Sequence, residues 1–95
     1  MKKQNIVFIS VAEDADKDKV LDLKGDLMSS FTPFIDRETF SELKEYNGSE
    51  FVADFTRKLI PICKEIWIVG PGDYTTDLDE QAAKKAGIPV RHISG

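Results

Sequence analysis

The residues best suited to chemistry fall in one short stretch, Gly70-Pro71-Gly72-Asp73-Tyr74-Thr75-Thr76, with Asp79 close behind. Glycines let a ligand approach the backbone, Tyr74 can stack on a flat ring, and Thr75 and Thr76 supply hydroxyls. A helix is predicted to follow, and its unpaired N–H groups suit an anion or an oxygen-rich group. Asp79 lies in the first turn of that helix, beside the face made by Ala82, Ala83 and Ala86 three, four and seven positions on. A carboxylate so placed can accept hydrogen bonds from sugar hydroxyls or attack an anomeric carbon. The plain structural reading of the same residues is a connecting loop, an ordinary cap and an acid that suits the helix dipole.

Other candidates are weaker. Glu13, Asp14 and Asp36 are acids that can reach the same region, though a run of acids after a strand is ordinarily a solvated turn. Arg37 suits a phosphate but sits between Asp36 and Glu38, the pattern of a charged surface. His92 is the only histidine and Cys63 the only cysteine. Those counts exclude an intrachain disulfide, a two-histidine metal centre and a cysteine-built metal site. His92, Trp67 and Cys63 read as structural residues, and neither a metal nor a cofactor is implied.

Positioning these groups requires a strand before the turn and a helix after it, and the chain supplies both. Asn5–Val11 and Glu65–Gly70 are compact apolar runs without alternation, the mark of strands covered on both faces. Phe31–Ile35 reads as a short strand that Pro33 confines to a sheet edge, and Ile88–Ile93 as a last strand. Between them Val20, Leu23, Leu27 and Phe31, widened by Leu21 and Met28, recur at helical spacing. Gly25 interrupts that stripe at a cost of about 1 kcal/mol against alanine. Residues 36–46 are charged, with Phe40 and Leu43 as apolar anchors, and form a loop or a short surface helix. Ser49 is predicted to cap a helix with Phe51, Val52, Phe55, Leu59 and Ile60 on its apolar face, ended by Pro61. Asp77-Leu78-Asp79-Glu80 offers a capping box for the last helix, whose buried face is Leu78, Ala82 and Ala86 and which Gly87 stops.

Strands alternating with helices imply parallel pairing through right-handed crossovers. The expected architecture is a single three-layer α/β domain of flavodoxin or Rossmann type, its four-stranded, mostly parallel sheet in the order 2-1-3-4. Strands one and three then end side by side, and open sheets of this kind bind ligands at such ends. The expected crevice is lined by Ser10 to Asp14 on one side and Gly70 to Thr76 on the other. With 95 residues there is room for one core only. At 41% hydrophobic and 32% charged the chain is globular in composition. A net charge of −4 without a basic stripe argues against nucleic acid polymers. No apolar run approaches the roughly 20 residues of a membrane span, and no signal-peptide core follows Lys2 and Lys3. A cytoplasmic location is expected.

Cys63-Lys64-Glu65-Ile66-Trp67-Ile68-Val69-Gly70 resembles a strand of the nucleoside 2-deoxyribosyltransferase-like superfamily, closest to its short bacterial and phage members. Thr75-Thr76-Asp77-Leu78-Asp79 lies where those proteins carry a Gly-Thr/Met-x-x-Glu motif, and Ala83 and Gly87-Ile88-Pro89-Val90 follow in register. Phe8-Ile9-Ser10 and Thr32-Pro33-Phe34 echo its first two strands. The resemblance implies Asp79 in the place of the acid that attacks or binds the sugar when an N-glycosidic bond is cleaved, with Thr75 and Thr76 near a sugar or phosphate. It also implies assembly into homo-oligomers. Asp79 is one methylene shorter than the family's glutamate, Thr75 replaces its glycine, and Lys64 replaces its customary aspartate. Val11-Ala12-Glu13 stands in place of its Gly-Pro or Ser-Pro-Tyr turn.

These departures favour a pocket that binds without reacting. The leading expectation is a nucleoside- or nucleotide-binding protein that senses or sequesters its ligand, of the kind small phage genes supply. Its ligand-binding residues are Ser10, Glu13, Asp36, Gly70, Gly72, Asp73, Tyr74, Thr75 and Thr76, with Asp79 as the would-be catalytic acid. One alternative is an N-glycosidase or deoxyribosyltransferase using Asp79 as nucleophile. The other is a signalling or protein-interaction domain, although a phosphoacceptor receiver would need an aspartate where Gly70 stands. A short open sheet also leaves edges and helix faces poorly covered, so a homodimer or higher homo-oligomer is expected.

Overall fold

The computed structural model describes residues 4–36 and 41–93. Four strands, β1 (Val7–Val11), β2 (Phe34–Asp36), β3 (Glu65–Val69) and β4 (Val90–Ile93), form one sheet in the order β2-β1-β3-β4. Every pairing in it is parallel. Helix α1 (Lys17–Ser29) joins β1 to β2; α2 (Ser41–Asn47), α3 (Ser49–Leu59) and a 3₁₀ turn (Ile60–Ile62) join β2 to β3; α4 (Tyr74–Ala86) joins β3 to β4. No helix among the described residues is long and apolar enough to cross a membrane.

Alternation along β1 assigns the layers. Val7 and Ile9 pack with Val20 and Leu27 of α1, while Phe8 packs with Val52, Ile60 and Ala83 from the α3 and α4 side. Ile66 and Ile68 of β3 join Phe8, and Val69 joins Ile9. Burying each such side chain contributes about 1.5–3 kcal/mol, so these two clusters are what hold the helices to the sheet. Cys63 is fully buried in the α3–α4 layer, and burial pushes its thiol up to about 11, which leaves it unreactive. Trp67 is only half-buried; it packs at the margin of the α1 layer, donates its indole N–H to Glu65 and carries the Arg91 guanidinium over its ring.

Several local expectations are corrected. The stripe on α1 is narrower than its sequence suggests: Leu21, Met28 and Phe31 are exposed. Phe31 belongs to neither helix nor strand. It takes a left-handed conformation (φ 56°) just past the helix, where Thr32 N–H donates to the Leu27 carbonyl and Phe31 N–H to that of Met28. That is a Schellman termination, with phenylalanine in the position glycine ordinarily fills, at a cost of about 1–2 kcal/mol. The termination delays β2 to Phe34, while Pro33 sits before this edge strand as expected. Gly48, not Ser49, is the N-cap of α3, and Ser49 is its first helical residue. Arg37 and Phe40 lie outside the described residues, as does the side chain of Leu43.

Candidate functional site

α4 carries the site, and its start differs from the expected one. The cap is Asp73, not Asp77, and the helix begins at Tyr74. Asp73 Oδ1 accepts from Thr76 N–H at 2.9 Å, and Thr76 Oγ1 accepts from Asp73 N–H at 2.8 Å, a reciprocal capping box. Asp73 Oδ2 also accepts from the backbone N–H of Glu13 at 2.8 Å, which ties this cap to the loop after β1. These bonds, first that from Thr76 and then that from Glu13, hold the Asp73 carboxyl below its usual range. A carboxylate of the chain itself therefore already occupies the helix N-terminus.

Gly70 explains why the two loops meet so closely. It has φ 98°, and a Cβ added there would lie 2.8 Å from Ala15 Cβ and 3.1 Å from Ala12 Cβ. Only glycine meets both the conformation and the clearance. At Gly70 and Asp73 the two loops expected to flank the crevice are thus in direct contact.

The hollow opens one layer away, between α3 and α4, with about 650 Å3 of space. Val52, Ala53, Thr56 and Ile60 form one wall, and Tyr74, Thr75, Leu78 and Ala82 the other. Asp79 also lines it, although its exposure is only 4%. Ser10, fully buried at the end of β1, donates from Oγ to Asp79 Oδ2 at 2.7 Å. The bond accounts for a serine in an otherwise apolar strand, because a buried carboxylate without donors is costly. Tyr74 is 78% exposed at one end of the groove, beside Thr75. Lys44 of α2, Arg57 of α3 and Lys85 of α4 also line it, so its margins are cationic in a chain that is anionic overall.

Of the residues singled out in the sequence, Ser10, Tyr74, Thr75 and Asp79 come together. Asp73, Thr76, Gly70 and the backbone of Glu13 build the junction that orients them; Gly72 belongs to the same turn. Asp36 is elsewhere. Its register with Ile9 puts it on the α1 face, where Lys24 Nζ approaches Oδ2 at 2.5 Å. His92 bonds Glu80 at 2.6 Å, and Glu80 also meets Lys84 at 2.8 Å, joining β4 to α4. Lys84 first, and His92 second, hold the Glu80 carboxyl below its usual range.

The α3 face is turned from the expected one, keeping Val52 and Ile60 and adding Thr56. The buried residues are Val52, Thr56 and Ile60, whereas Phe51 and Phe55 stack on each other and stay 44% and 41% exposed. Thr56 Oγ1 donates to the Val52 carbonyl at 2.8 Å, which satisfies the hydroxyl within the helix and permits its burial. On α4 the buried face is likewise Thr76, Asp79 and Ala83, with Leu78 and Ala86 exposed. Comparison with known families, curated proteins and solved structures returns no match for this chain.

Proposed function

We propose that the groove between α3 and α4 binds a nucleoside or nucleotide-derived small molecule and retains it unchanged. The observation that carries this reading is Asp79: a buried carboxylate, fixed by Ser10 at 2.7 Å, lining a groove that is otherwise mostly apolar. A volume of about 650 Å3 is in the range of small-molecule sites, which pair apolar walls with a few placed polar groups. Tyr74 suits a flat base, Thr75 and Asp79 suit sugar hydroxyls, and the resemblance over Cys63–Val90 points to the same ligand class. Retention is favoured over reaction by the short reach of Asp79 and by its being the only carboxylate among the described residues of the groove. Glycosidic cleavage ordinarily employs two.

Calorimetric titration of the whole chain against a panel of nucleosides and nucleotides tests the proposal. At least one should bind well below millimolar, and Asp79→Asn should weaken it by about tenfold or more, the loss expected for a hydrogen bond to a charged group. No binding tighter than millimolar across the panel would reject the reading. A second reading, cleavage with Asp79 as nucleophile, rests on the same immobilised carboxylate. It predicts release of free base that Asp79→Asn abolishes; intact substrate after long incubation with concentrated protein rejects it.

A further inference from the structure

The cations of α3 and α4 divide by the direction they face. Lys58 meets Asp54 at 3.0 Å and Lys84 meets Glu80 at 2.8 Å, and neither lysine lines the groove. Their chain neighbours Arg57 and Lys85 do line it. Arg57 is left with Asp54 at 3.7 Å, an acid it shares with Lys58, and Lys85 has no ion pair or side-chain hydrogen bond among the described residues. With Lys44 the described lining holds three cationic side chains against one carboxyl group, that of Asp79. α3 and α4 run in the same direction, because each returns from the carboxyl end of a parallel sheet to the start of the next strand. Their C-terminal ends therefore lie together, and Ile60 and Ala83 share a core cluster there. Arg57 stands one turn before Ile60 and Lys85 one turn after Ala82, so both close the same end of the groove. Tyr74 and Thr75 stand at the other end. Eleven residues of helix separate Tyr74 from Lys85, about 16 Å along the axis. With the Lys85 side chain leaning back by one turn, about 11 Å remains.

We propose that the groove takes a nucleoside polyphosphate lying along its length, with the base against Tyr74 and the terminal phosphates between Arg57 and Lys85. The proposal rests on the reading of the groove as a small-molecule site and narrows it to one ligand class. A 5′-monophosphate stands one ribose from its base and falls short of Arg57 and Lys85 when that base is at Tyr74. A di- or triphosphate chain spans the interval, and Asp79, between the two ends, meets the ribose. The Arg57 guanidinium presents a planar fork that fits phosphate oxygens in pairs, and Lys85 adds a mobile point charge. Apolar walls strengthen both attractions relative to open water. Because the chain carries a net charge of −4, a cationic groove is where an anionic ligand is drawn.

Calorimetric titration of the full chain tests the proposal, comparing the nucleoside, 5′-monophosphate and 5′-triphosphate of each common base, with inorganic triphosphate as a probe of the cations alone. For at least one base the triphosphate should bind about tenfold or more tighter than the nucleoside and the monophosphate, the gain expected from charge-assisted bonds to two cations. Arg57→Gln with Lys85→Gln should erase that margin. Lys58→Gln with Lys84→Gln removes the same charge from the outer faces and should keep it. All four side chains are exposed, so the circular dichroism spectrum should be unchanged in both double variants. A triphosphate margin that survives Arg57→Gln with Lys85→Gln, or that both double variants lose equally, would overturn the proposal. So would inorganic triphosphate binding as tightly as the best nucleoside triphosphate. Nucleosides that bind with no triphosphate margin would overturn this proposal and leave the groove a small-molecule site, whereas no binding by any member of the panel would reject both.

Discussion

α1 and α4 are both thirteen residues long, both start from an aspartate cap, and both end in the same pair of backbone hydrogen bonds. What they bury differs. α1 turns Val20 and Leu27 to the sheet and seals a layer with aliphatic side chains. α4 turns Thr76, Asp79 and Ala83 inward, each polar group with a partner, and leaves a groove beside α3. Their ends differ too. Asp16 accepts one local bond, from Asp18 N–H, whereas Asp73 closes a capping box and bonds the β1 loop as well. Gly87 ends α4 at φ 73°, and Phe31 ends α1 at φ 56°. A helix that only covers a sheet tolerates a poor terminus, while one that aims a buried carboxylate is fixed at both ends.

The largest effect is expected where the segments leading into the two helices touch. Gly70→Ala forces a methyl group to 2.8 Å from Ala15 in a backbone region alanine avoids. It should cost about 2–4 kcal/mol in urea denaturation through strain and overpacking. A cost under 1 kcal/mol (about the scale of a surface change) would mean that the two loops are not locked together.

Next come the caps. Asp73→Ala removes the two bonds its carboxylate accepts, from Thr76 N–H and Glu13 N–H, and should destabilise by about 2 kcal/mol, against about 1 kcal/mol for Asp16→Ala. The Asp73 contribution should also depend on pH. Its folded value lies below the ordinary 3.8, so the ionised cap gives its full stabilisation above 3.8, and this is lost as pH falls through the lower folded value. Asp73→Asn should therefore flatten the acid limb of the stability profile; an unchanged acid limb would remove Asp73 from the account.

The smallest effects are opposite in sign. Gly87→Ala should cost about 1 kcal/mol, and Phe31→Gly should add about 1 kcal/mol to the monomer, because the two terminations are alike except in the residue at the left-handed position. Thermal melts at low concentration distinguish them, and a loss of stability in both variants would show that the Phe31 ring packs in a way its exposure denies.

Much of this organisation is legible in the residues. The unalternating runs around Phe8 and Ile66 give two central strands, Pro33 gives the edge, and the segments between them give the order 2-1-3-4. Ser10, Tyr74, Thr75 and Asp79 belong to the site by position in that order. The helix faces are less legible, because hydrophobic periodicity discounts a polar residue whose partner is not visible. Thr56 is buried through a bond to its own helix, Thr76 through the cap and Asp79 through Ser10, sixty-nine residues away in sequence. The cap of α4 shows a different difficulty. Asp73-x-x-Thr76 and Asp77-x-x-Glu80 are both good cap sequences, and the Glu13 N–H that reaches Asp73 is a tertiary contact that local pattern does not contain.

We propose that Asp79 and Tyr74 face a ligand in the α3–α4 groove, not at the Gly70 turn. Titrating a deoxynucleoside 5′-monophosphate into the isotope-labelled chain and following backbone amide shifts tests it most directly. Saturating shifts are expected at Val52, Ala53, Thr56, Thr75 and Asp79. Shifts confined to Glu13 and Gly70–Gly72, or none at millimolar ligand, would contradict it.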